Sequence, residues 1–164
     1  MRDLVAALVA LALLAAALSL ATTLHFWRRR RDRAHQSERA AGRTIVAEIP
    51  VADELRLFTE DGSCFHYGQE VIDKDDIAAV RVLINGAPIA AAVSSRYAGN
   101  ERQPTSFEDR PEGIARDRWD VAIETPARTI LVECGAIRER ISQELARAVF
   151  EAVKRDLERR NAGA

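Results

Sequence analysis

Cysteine and histidine are scarce in this chain, and their spacing excludes several chemistries before any element is assigned. Cys64 and Cys134 are its two cysteines, and His25, His35 and His66 its three histidines. Two thiols cannot staple a disulfide scaffold, and no Cys-x-x-Cys or paired-histidine spacing is present to make a zinc centre. A Gly-rich phosphate loop and a strand-elbow serine are missing too, so none of the spacings with well-understood catalytic mechanics occurs. Charge is missing from one long stretch: Leu4 to Leu24 holds no ionisable side chain.

That uncharged stretch is the strongest feature present. Its 21 residues make a helix of roughly 31 Å, about the thickness of a bilayer's hydrocarbon core. A basic block follows at once, Arg28, Arg29, Arg30, Arg31 and Arg33, whereas only Arg2 precedes the run, partly offset by Asp3. Loops rich in Lys and Arg stay cytoplasmic, so the expected arrangement is a single-pass inner-membrane anchor with the C-terminal domain in the cytoplasm. A cleaved secretory signal is the competing reading, and Ala15-Ala16-Ala17 or Leu20-Ala21-Thr22 could imitate its cleavage site. The run is too long for one, and its basic flank lies on the wrong end. His25, Phe26 and Trp27 stand where apolar run meets arginine, the depth at which amphipathic rings anchor a helix. Trp27 and the five arginines are therefore the expected membrane-surface residues.

The near-neutral net charge of -1 conceals segregation along the chain. Arg28 to Arg43 has seven arginines against Asp32 and Glu38; Thr44 to Cys134 has nine basic and seventeen acidic residues; Ile137 to Arg160 has seven basic and five acidic. A nucleic-acid binder would carry positive charge on its folded domain, so no nucleic-acid partner is expected, and the basic block belongs to the membrane surface. Anionic lipid heads attract such a block by about 1 kcal/mol per residue.

After residues 1–33 as anchor and basic flank, 34–43 read as the tail of the anchor helix and a short linker. One domain of roughly 115 residues remains, over 44–160. Strand composition recurs at Thr44–Ile49, ended by Pro50, at Glu54–Thr59, at Cys64–Tyr67 and around Val71. Ile77–Ile84 and Ala87–Val93 flank Asn85-Gly86, a pair that tolerates positive φ at both centres of a type I′ turn. Trp119–Glu124 and Arg128–Cys134 form a last hairpin, with Trp119, Val121 and Ile123 on one face and Ile130 and Val132 on one face of the partner. Between them, 94–117 reads as a long polar loop, and its Tyr97 and Phe107 are candidate partner contacts. From Ile137 the period changes to 3.6, with Ile141, Leu145, Val149, Val153 and Leu157 striping one long amphipathic helix over 137–160.

Roughly seven antiparallel strands closed by one helix, with the phrase Val71-Ile72-Asp73-Lys74-Asp75-Asp76-Ile77 at a strand-turn-strand entry, resembles the small bacterial membrane-anchored pleckstrin-homology-like (PH-like) proteins. The resemblance spans 44–160 and implies an α+β fold, a bent antiparallel β-barrel capped by its C-terminal helix. The chain departs from the lipid-binding members in two respects. Its last helix has no tryptophan, and its first inter-strand loop, Pro50-Val51-Ala52-Asp53-Glu54, is acidic where those members place basic phosphate ligands.

Cys64 and His66 alternate to one face of a strand, and with Cys134 they could hold zinc if the barrel gathered them. A thiol nucleophile with His66 as base is the weaker form of that idea, because same-face neighbours point in parallel. The acidic pairs Asp53-Glu54, Asp75-Asp76 and Glu108-Asp109 have no calcium-loop spacing and read as solvated turns. The expected function is thus a non-enzymatic interaction domain without a cofactor, an adaptor, assembly factor or accessory subunit contacting a protein partner. It would be held to the lipid bilayer through residues 4–33. The alternatives are a lipid-sensing domain lying against the bilayer and, less favoured, a metal or thiol enzyme using Cys64, His66 and Cys134.

Overall fold

A computed structural model describes residues 2–51, 54–97 and 117–163, with backbone alone for residues 2–10, 24 and 27. It contains two compact units, Met1–Ala41 and Gly42–Ala164. The first is helix α1, Arg2–Ala40, about 58 Å long at 1.5 Å per residue. Among the described residues, the stretch Leu11–Ala40 of this helix is long and apolar enough to cross a membrane. The helix does not stop at the arginines: residues 34–40, read in part as linker, are helical, and only 41–43 separate α1 from the first strand. The reason is local. Ala34 to Ala40 contains no proline or glycine, and Gly42, at φ +75°, is the first residue able to turn the chain sharply.

The second unit is α+β, with eight strands rather than roughly seven, in two four-stranded antiparallel sheets not closed into a barrel. One sheet is a simple meander of β1 (Thr44–Val51), β2 (Glu54–Glu60), β3 (Cys64–Tyr67) and β4 (Glu70–Asp73). The other contains β5 (Ala79–Ile84), β6 (Ala87–Val93), β7 (Arg118–Glu124) and β8 (Thr129–Ala136), in the order β6-β5-β7-β8. Between β6 and β7 the chain therefore crosses from one side of β5 to the other, and most of that connection, 98–116 with Phe107, lies outside the described residues. Pro50 does not end β1, which continues to Val51. The first sheet's edge tolerates a residue with no ladder donor.

Asn85 and Gly86 take φ of 52° and 79°, as the hairpin between β5 and β6 requires. Asn85 does more than turn the chain. Its Oδ1 accepts from the backbone N–H groups of Asp117 and Arg118, and its own N–H donates to Arg118 O at 3.2 Å, fixing the start of β7 beside the turn.

Helix α2 spans Arg140–Ala162, later at both ends than the expected 137–160. It packs on β1 and the second sheet. Its buried face is Ser142, Ala146, Val149, Phe150, Ala152, Val153, Asp156 and Leu157. The expected stripe is correct for Val149, Val153 and Leu157 but wrong nearer the N-terminus, where Ile141 is 60% exposed and Leu145 half-buried. Four-residue steps overshoot a full turn by about 40° each, so a chain of them from Leu157 back to Ile141 rotates off the core. Leu145 thus packs at the edge of the contact rather than within it.

Both sheets and α2 share one core, in which Ile49, Phe58, Phe65, Val80, Val121, Ile123, Val132, Val149 and Val153 are wholly buried. Phe58 stacks on Phe65 with ring centroids 5.6 Å apart. Gly135, at φ +115°, lets the first turn of α2 approach β8: a Cβ there would lie 2.5 Å from Ser142 Oγ.

Candidate functional site

Three groups of polar residues concern function: the β2–β3 turn with Cys64 and His66, a dry cluster at the β7–β8 ladder, and the arginines of α1.

In the first, Asp61 organises the turn from β2 to β3. Its Oδ1 accepts from the N–H groups of Ser63 at 2.8 Å and Cys64 at 2.7 Å, and its Oδ2 stands 2.7 Å from His66 Nε2. The bond to His66, then those from the two backbone groups, hold its carboxyl well below the ordinary value of 3.8. His66 is 9% exposed and engaged by Asp61. Cys134 is not beside this pair but wholly buried in the core, where burial pushes its thiol up to about 12, with Asp120 adding to the shift. Since the thiolate is both nucleophile and metal ligand, Cys134 is the wrong species for either role. Among the described residues no three His, Cys, Asp or Glu side chains converge as a metal site.

Asp61 makes a pH-dependent contribution with a definite sign. A carboxylate whose folded value lies below its unfolded one stabilises above the unfolded value, and that stability disappears as pH falls through the folded value. The urea midpoint of the fragment from Gly42 onward should therefore exceed that of its Asp61→Asn variant at neutral pH. The gap should narrow steadily as pH drops below about 4. A gap that stays constant down to acid pH would show that the charge of Asp61 contributes nothing.

Beside this turn lies a residue that sequence reasoning missed. Lys74, within the acidic run read as solvated, is only 7% exposed. Its Nζ donates to Asp61 O at 2.6 Å, lies 3.8 Å from Asp156 Oδ1 and 3.9 Å from Glu60 Oε2, and sits 4.7 Å above the Phe65 ring. Asp156, 4% exposed on α2, also meets Arg160 Nη2 at 2.8 Å. The flanking acids do behave as turn residues, with Asp73 accepting from Asp75 N to cap a 3-10 turn over Lys74–Asp76.

The second group surrounds an irregularity where β7 and β8 slip register between Trp119 and Asp120. On β7, Trp119 is half-buried, while Asp120, on the opposite face with Ala122, is wholly buried. Arg118 Nε approaches Asp120 Oδ1 to 2.7 Å as a charge pair without hydrogen-bond alignment, and Arg118 Nη1 reaches Glu133 Oε1 at 3.1 Å. Burial raises the carboxyl of Asp120 above its ordinary range, with Arg118 opposing the shift. Burial likewise raises the hydroxyl of Tyr67.

Tyr97 lies half-buried in a 3-10 turn, Ser95–Tyr97, that α2 holds in place: Asn161 accepts from Ser95 N at 2.8 Å and donates to Val93 O at 3.2 Å. On edge strand β6, an uncharged segment, Pro88, the irregular register near Ile89 and the Asn161 contact interrupt the open edge, the devices that prevent indiscriminate strand pairing. Ile89 itself is 55% exposed, as is Val71 on edge strand β4 at 56%.

In the third group, Arg28, Arg29, Arg30, Arg31 and Arg33 are all exposed on α1. At about 100° per residue they surround the helix, leaving no face wider than about 100° without an arginine. Such a ring suits a helix that enters a membrane end-on; a helix lying flat on a bilayer would gather its cations on one side. The Arg30 guanidinium carbon lies 5.4 Å from the Phe26 ring centroid, one turn back toward the apolar run. Compared with protein-family models, curated proteins and solved structures, the chain matches none.

Proposed function

We propose that this chain is a single-pass inner-membrane protein whose C-terminal unit, a PH-like domain facing the cytoplasm, is a non-enzymatic contact module for a protein partner, as adaptor, assembly factor or accessory subunit. The observation that carries the reading is how the reactive residues are used. His66 and Asp61 hold a turn, Cys134 is a core residue with its thiol pushed up to about 12, and Asp120 is enclosed beside Arg118. Chemistry would require such groups to converge on an accessible point. The orientation rests on the arginine excess after the apolar run, and the PH-like assignment on element order: antiparallel strands followed by one helix.

The test is quantitative proteomics after cross-linking in intact membranes, comparing the full chain with a version ending at Ala41. At least one protein should be enriched near stoichiometry by the full chain and not by the anchor alone. The Cys64→Ser, His66→Gln and Cys134→Ala variants should retain it if they fold. The reading fails if no protein depends on the folded unit, or if a small-molecule turnover is found that any one of these three substitutions abolishes while the fold persists.

A further inference from the structure

We infer that the arginines of α1 form a lipid-binding collar, a ring of guanidinium groups that selects anionic phospholipids around the helix where it leaves the membrane. The inference rests on the membrane-spanning role proposed for α1 and on none of the protein contacts proposed for the folded unit.

Two features of the helix support it. The first is direction. Cα–Cβ bonds of an α-helix tilt toward its N-terminus, so a long side chain covers the turn preceding its own Cα. Here the apolar run precedes the arginines, so their side chains lean back toward the membrane. Arg30 shows this directly, with its guanidinium over the ring of Phe26 rather than out beyond Arg33. The collar therefore reaches the depth of the residues at the apolar run's end, where lipid phosphates lie, whereas Glu38 and Arg39 stand one to two turns farther along.

The second is arrangement. The five arginines are exposed on every side, and α1 continues without a break to Ala40, so the ring is held by regular backbone on both flanks. Within the block Asp32 is the one acid. A guanidinium offers paired N–H donors that match two phosphate oxygens. Several such groups around one helix place a lipid site on each side, not a single pocket. The occupant is set by charge: phosphatidylglycerol-type headgroups carry a net negative charge beside the guanidinium, while phosphatidylcholine cancels its phosphate with its own ammonium.

The full chain reconstituted in phosphatidylcholine bilayers containing a minority of phosphatidylglycerol tests this by electron spin resonance of spin-labelled lipids. Labelled phosphatidylglycerol should be enriched over labelled phosphatidylcholine at the protein boundary by about fivefold, the factor corresponding to one arginine's attraction to an anionic surface. Replacing all five arginines with glutamine should reduce that preference to about one, whereas five lysines should retain most of it, since charge survives and paired hydrogen bonding does not. Equal boundary populations of the two lipids around the wild-type chain, or an undiminished preference in the glutamine variant, would overturn the collar. Flotation with the vesicles and resistance to alkaline extraction separate the outcomes. A chain that fails these has lost the membrane-spanning reading itself, and a chain that passes without selecting lipid has lost only the collar.

Discussion

Gly135→Ala should destabilise the β-domain by about 3 kcal/mol or more, from a single added methyl group. Two separate costs meet at this residue. Its φ of +115° lies in a region where a side chain is strained, at about 1 to 3 kcal/mol. The new Cβ would also stand 2.5 Å from Ser142 Oγ and 3.3 Å from Ser142 Cβ. Ser142 is 1% exposed in the first turn of α2, so it cannot swing into solvent to make room. Either the helix lifts from β8 or the ladder shifts. Unfolding in urea of the fragment from Gly42 onward measures the loss, and the double variant Gly135→Ala, Ser142→Gly separates the two costs. Removing the serine side chain relieves the contact while leaving the backbone strain, so the double variant should recover some of the stability and not all. A Gly135→Ala protein as stable as wild type would mean that the close approach of α2 to β8 is not a feature of the fold.

What the sequence discloses and what it hides follow from the range of the interactions involved. Local chemistry is legible: Asn85-Gly86 can turn a hairpin by itself, and the change of period after Gly135 announces a helix, although β8 runs through Gly135 to Ala136. The apolar run of α1 is equally plain, since bilayer thickness converts directly into residue count. Non-local decisions are hidden. Whether two sheets close into a barrel depends on pairings between distant strands. The order β6-β5-β7-β8 requires β7 to prefer the far side of β5, and no residue of β7 states that preference by itself. Burial on both faces of a strand is hidden for a related reason. β7 lies between β5 and β8, with Val121 and Ile123 buried on one face and Asp120 and Ala122 on the other, so alternation along β7 does not separate inside from outside. The core face of α2 was legible at Val149, Val153 and Leu157 and misplaced at Ile141, because periodicity gives a stripe its spacing but not its absolute angle against the sheet.

Lys74 is the most instructive of the hidden residues, and Lys74→Ala should cost about 1 to 3 kcal/mol, the range for leaving a buried polar group without its partner. The ammonium links three pieces of chain: the β2–β3 turn through Asp61 O, helix α2 through Asp156, and the core through the face of Phe65. Its loss leaves a carbonyl without its donor, a void along the missing stem, and Asp156 with only its arginine neighbours on α2, Arg159 and Arg160. Lys74→Met apportions these effects, because it restores the apolar stem without the charge. The methionine variant should lie between wild type and alanine. Its remaining deficit measures the electrostatic contacts, and its gain over alanine measures packing. Urea unfolding of the fragment from Gly42 onward supplies all three values. An alanine variant within about 1 kcal/mol of wild type would show that the buried lysine is not a structural link. A methionine variant equal to wild type would show that Lys74 acts through its hydrocarbon stem, with Asp156 held by Arg159 and Arg160.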